Sequence, residues 1–130
     1  MSKKRRKILV FGNLIVKEDS LPLRILPKLR KRFPEIQFIE ADPTELLDYN
    51  GDFWILDTAE GIDDVIIFND ISKLTPPRRV GVHDYDLALD LKLLSKLGKL
   101  EKVRIIALPI EMEHKEAFRK VVAQLRASGF

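Results

Sequence analysis

One member of the acidic pair Glu18-Asp19, with Asp57 and His83, could do chemistry by residue type and place along this chain. Asp19 closes the stretch FGNLIVKED, with Glu18 beside it. Asp57 follows the apolar run WIL, and His83 opens HDYDLALDL. Carboxylates supply hard oxygen donors and imidazole a borderline nitrogen. A mixed set of three suits a divalent first-row metal that keeps open positions. A metal so held polarises a carbonyl or activates a water. Each residue also has an ordinary structural role. An Asp at a strand end forms turns, Glu18-Asp19 would stabilise a helix start, and His83 could cap its helix or cover the edge of the core. Glu111, in ALPIEMEH, is a further carboxylate after an apolar run, and His114 beside Glu113 reads as surface.

Other chemistries lack their residues. The chain has no cysteine, hence no disulfide, no thiolate zinc site and no cysteine nucleophile. There is no GxSxG elbow, and the four serines after Ser2 have no evident His partner. Gly12-Asn13 is neither a dinucleotide-binding nor a Walker glycine loop. Attack by a metal-polarised water is therefore the simplest route to catalysis. Five of the first seven residues are Lys or Arg, and Arg30-Lys31-Arg32 and Arg78-Arg79 are further basic clusters. No aromatics are interleaved with them to stack on bases, so nucleic acid is not the expected partner.

These residues need elements to position them. The apolar runs are short and alternate with helical patterns. Strands are expected at Lys7–Phe11, Ile36–Glu40, Phe53–Leu56, within Asp63–Phe68, and at Val103–Leu108. A helix capped by Ser20 should run to Arg32, with Pro27 kinking it or delaying its start. Thr44–Leu47 reads as a short helix, Tyr85–Leu97 as a longer one stopped by Gly98, and His114–Ala127 as the last. Strands alternating with helices predict an α/β fold around a mostly parallel sheet with helices on both faces. In such sheets ligands bind beyond the carboxyl ends of the strands, where Asp19, Asp57, His83 and Glu111 all fall.

The 130 residues, 45% of them hydrophobic, suit one domain with one core and a basic tail at residues 1–6. No apolar run approaches the ~20 residues that span a bilayer, and the short run after the basic tail is no signal-peptide core. A cytosolic protein is expected. Abundant charge beside three Asn and two Gln leans towards a thermophile.

From Lys7 to about Leu125 the order of motifs resembles the [NiFe]-hydrogenase maturation endopeptidases. The carrying features are a strand, Gly12-Asn13, the acidic pair Glu18-Asp19, Asp57 in LDTA after the third strand, and His83 opening an amphipathic helix. The resemblance implies a three-layer α/β/α sandwich with a twisted, mixed five-stranded sheet. It implies removal of the C-terminal extension from a hydrogenase large-subunit precursor after nickel insertion. The nickel belongs to the precursor and serves as the recognition signal. The metal-contacting positions map onto Asp19, Asp57 and His83, with Asp19 or Asp57 as the possible base. A cytoplasmic monomer is expected.

The chain departs from the family in two loops. Ser20-Leu21-Pro22 stands where the family has glycines, and Asp42-Pro43-Thr44 stands for a Gly-Gly-Thr type loop. Substrate docking should differ there. The rival readings are a non-catalytic α/β binding module of the same fold and a divalent-metal-dependent phosphodiesterase or nucleic-acid-binding protein. A phosphoacceptor receiver domain is excluded, because its acidic pair directly follows the first strand and a Lys precedes its fifth-strand Pro. Here Leu108 precedes Pro109.

Overall fold

The computed structural model describes residues 6–41, 51–59, 62–68 and 100–129, with backbone alone at Asp19, Gly51, Asp52, Phe68 and 100–103. Five strands form one sheet: β1 (Lys7–Val10), β2 (Gln37–Glu40), β3 (Gly51–Ala59), β4 (Ile66–Phe68) and β5 (Leu100–Pro109). Their order is β2-β1-β3-β5-β4. All neighbours are parallel except β4, which runs antiparallel to β5 at the edge. The expected α/β class with a mixed, mostly parallel five-stranded sheet is what forms.

Two helices are described, α1 (Leu21–Arg32) and α2 (His114–Ala127). They pack on each other and on one face of the sheet. That face presents Ile8, Val10, Phe38, Trp54, Leu56, Ile106 and Leu108. The alternation of strand side chains puts Leu9, Phe11, Ile55, Asp57, Ile105 and Ala107 on the opposite face, where they too are buried. Burial on both faces is the rule for parallel sheets and explains why β1 reads as an unbroken apolar run rather than an alternating one. The helix expected at Tyr85–Leu97, which would cover the second face of a three-layer sandwich, lies outside the described residues, as do Thr44–Leu47, Gly98 and Arg78-Arg79.

Helix α1 buries Leu21, Ile25, Leu26 and Leu29, the stripe that a period of three to four residues produces. Each such side chain contributes about 1.5–3 kcal/mol relative to exposure. Pro27 does not delay the helix, which begins at Leu21 and continues through Pro27 to Arg32. Pro27 is exposed, so its ring meets solvent rather than the core. Helix α2 has the expected bounds. It buries Ala117, Val121 and Leu125 against the same face, and stops where Gly129 takes a left-handed φ of 90° and its N–H returns to Arg126 O at 3.1 Å.

The middle strands are longer than the apolar runs suggested. β3 and β5 reach Gly51–Ala59 and Leu100–Pro109 because they pair with each other in parallel along nearly their whole length. Pairing with β5 draws Asp57 and Thr58 into β3 although they are polar. β4 is shorter, since its ladder to β5 begins at Ile66 and leaves Asp63–Val65 as its approach. No described helix is long and apolar enough to cross a membrane.

Candidate functional site at the carboxyl end of the sheet

The connection from β1 leads through α1 to β2 on one side. The chain then returns to β3 on the other side of β1. The strand order therefore reverses between β1 and β3, the switch point at whose carboxyl ends ligands bind in sheets of this kind. The segments leaving both strands carry acids.

On β3 the acid is Asp57, whose side chain is only 3% exposed. β1 pairs with β3 up to Val10 opposite Leu56, and the Phe11 N–H then bonds Leu56 O at 3.0 Å. Asp57 is the next residue of β3, at the level where the first chain turns away through Gly12. Its Oδ1 accepts the Thr58 N–H at 2.8 Å. A carboxylate removed from water is tolerated only with such partners, and this bond also fixes its orientation. Asp57 was expected just after the third strand; it lies inside β3, two residues from its end.

On the β1 side the chain leaves through Asn13, whose Oδ1 accepts the Ile15 N–H at 2.9 Å and closes a tight turn. A single 3-10 turn, Lys17–Asp19, follows and packs against both β3 and α1. Ser20 was expected to cap α1. It occupies the cap position, but its hydroxyl makes no capping bond. The buried Oγ instead donates to Lys17 O at 2.9 Å and accepts Arg24 Nε–H at 3.0 Å. Ser20 thus ties the turn bearing Asp19 to the first turn of α1. This serine stands where the resemblance leads one to expect glycine, and it replaces freedom with a fixed turn.

The structure therefore brings the Asp19 turn alongside β3, the strand that carries Asp57. His83 lies outside the described residues. Glu18 is exposed. Glu111 is also exposed, and His114 is the first residue of α2 and exposed, as expected.

Glu111 joins a different feature. An open cleft of about 390 Å³ lies over the ends of β3 and β5, with Ala59, Ile62, Pro109 and Met112 among its walls and the carboxylates of Asp63, Glu111, Glu113 and Glu116 around it. No spacing along the chain signals that Asp63 and Glu116 share a cleft with Glu111, because the β4 approach and the first turn of α2 bring them there. Among the described residues no three His, Asp or Glu side chains converge closely enough to hold a metal ion. Beside the cleft, Asp64 Oδ1 accepts from Lys120 Nζ at 2.6 Å and from the Val65 N–H at 2.8 Å. The hydrogen bond from Lys120 and then that from Val65 hold the Asp64 carboxyl below its ordinary pKa of 3.8. The pair ties the approach to edge strand β4 onto α2.

No family model matches the chain. No curated protein matches it either. Among solved structures, an uncharacterized protein from Wolinella succinogenes is similar, with a TM-score of 0.58 and 13% identity over 96% of this chain and 95% of that one. At that identity the likeness concerns the fold, and it extends over nearly the full length of both chains.

Proposed function

We propose that the chain is an endopeptidase of the [NiFe]-hydrogenase maturation type, removing the C-terminal extension of a large-subunit precursor after nickel insertion. The observation that carries this reading is the placement of two acidic positions at the switch point: the turn of Asp19 packs on β3, and β3 carries the buried, oriented Asp57 two residues before its end. His83, which lies outside the described residues, enters as the third donor on the resemblance alone, as does the three-layer arrangement. The order of the three along the chain and their strand context match the family pattern.

The described acids support a site that is finished by its substrate. A pair of carboxylates without a third donor holds a free borderline metal weakly. Nickel already seated in the precursor brings its own ligands and needs only the remaining contacts from Asp19, Asp57 and His83. A precursor without nickel then offers nothing to grip, which makes recognition a difference between two states of one substrate. In the reaction a water adds to the scissile carbonyl, and Asp19 or Asp57 takes its proton. The proton passes to the amide nitrogen as the C–N bond breaks, leaving a new carboxyl terminus and the freed extension. The enzyme acts as a cytoplasmic monomer.

The test offers the protein a nickel-loaded precursor and the same precursor without nickel, and reads the mass of the large subunit. Loss of the extension from the loaded form alone is expected, and should disappear with His83→Ala. Equal cleavage of both forms, or of neither by folded protein, would overturn the reading.

A further inference from the structure

We infer that the amino end of the sheet, opposite the candidate site, is a docking surface for an acidic protein segment. Basic clusters that are far apart in sequence meet there. Lys7 begins β1, and α1 and α2 both run back from the carboxyl end of the sheet, so that Lys31, Arg32 and Arg126 cluster at the other end. Lys7, Lys31, Arg32 and Arg126 are exposed. Among the described residues no carboxylate pairs with any of the four. Arg104, on β5, lies with its guanidinium 5.1 Å from the Trp54 ring centroid, and its buried Nε makes no hydrogen bond. Stacking of this kind fixes a guanidinium and leaves its outer N–H groups for an anion.

The ordinary explanation, cations at the negative ends of helix dipoles, covers Lys31, Arg32 and Arg126. It does not cover Lys7 and Arg104, which sit on strands. The carboxyl end of the sheet meanwhile carries Glu18, Asp63, Glu111 and Glu113, all exposed. Exposed Lys17 and Lys115 lie among those acids, so the carboxyl end is mixed in charge, whereas the cluster at the amino end is mainly cationic and would steer a partner of opposite charge. An acidic protein segment fits better than nucleic acid. Exposed Glu35 lies at the same basic end and would face phosphates. Among the described residues the nearby aromatics Phe33 and Trp54 are buried, so neither ring is open to stacking by bases.

The inference stands apart from the peptidase reading, and its test uses no peptidase substrate. A fluorescent oligo-glutamate peptide and a DNA duplex of matched charge are titrated with the full-length protein at two salt concentrations. Three proteins are compared: the wild type, Lys31→Glu/Arg32→Glu, and Lys115→Glu/Arg119→Glu, which makes the same change of net charge elsewhere on α2. The wild type should bind the peptide more tightly than the duplex, with affinity falling as salt rises. The first variant should lose about ten-fold or more in affinity, the scale of a few desolvated charge contacts, and the second should change little. Circular dichroism confirms that the variants fold. Equal losses in both variants would reduce the effect to net charge, an unchanged first variant would remove the surface, and tighter duplex binding would assign it to nucleic acid.

Discussion

Asp57 occupies a place where an unaided carboxylate is costly. The Thr58 N–H that it accepts is buried with it. Replacing the side chain therefore tests two properties separately. Asp57→Asn keeps an oxygen acceptor in the same place, so the urea midpoint should stay within about 1 kcal/mol of wild type. Asp57→Leu removes the acceptor and should cost about 1–3 kcal/mol by the same measurement. On the proposed peptidase reading both should stop processing, because neither offers a carboxylate. Ser20 gives a complementary case. Its hydroxyl is buried and makes two hydrogen bonds, so Ser20→Ala should cost about 1–2 kcal/mol in urea denaturation. It should also slow processing by loosening the turn that carries Asp19. A full-speed Ser20→Ala enzyme would show that this turn positions nothing needed for catalysis.

Among the elements, α1 contains its own conflict. Pro27 lies in the helix interior and cannot donate to Leu23 O. The conflict is tolerated because Pro27 faces solvent while Ile25, Leu26 and Leu29 hold the helix to the core. Pro27→Ala should stabilise the protein by about 1–3 kcal/mol, read as a raised denaturation midpoint. Leu29→Ala, at a fully buried position of the same helix, should destabilise it by about 2–5 kcal/mol. The link between β4 and α2 depends on pH. Asp64 has a depressed pKa in the folded state, so its contribution is fully present above the ordinary value. It fades as pH falls below 3.8 through the folded value. Asp64→Asn should flatten that part of the acid limb in a pH series of denaturation midpoints, more visibly at low salt because the pair is exposed. An acid limb identical to that of wild type would show the pair to be worth nothing in solution.

Considering the molecule as a whole, the sheet was readable because β1, β3 and β5 are apolar enough to be buried on both faces, and α2 because its apolar residues recur at helical spacing. Strand lengths were not readable. Gly51, Asp52, Asp57 and Thr58 enter β3 only because β5 pairs with them across the sheet, a fact of tertiary structure. The role of Ser20 was hidden for a similar reason: before a helix a serine signals a cap, and only the preceding 3-10 turn gives its hydroxyl a different acceptor. The neighbourhood of the Asp19 turn and Asp57 follows from strand order. No spacing along the chain encodes that order, although the carboxyl-end rule anticipated the region. The gathering of Lys31, Arg32 and Arg126 at one end of the sheet is likewise a product of helix direction.

If Asp19 and Asp57 serve one site, their losses should not add. Rates of extension removal from a nickel-loaded precursor by wild type, Asp19→Asn, Asp57→Asn and the double variant decide the matter. Each single substitution should slow cleavage by about a hundred-fold or more, and the double variant should be hardly slower than the worse single. Near-normal rates in both single variants, from folded protein, would contradict a peptidase site at the β1–β3 switch point.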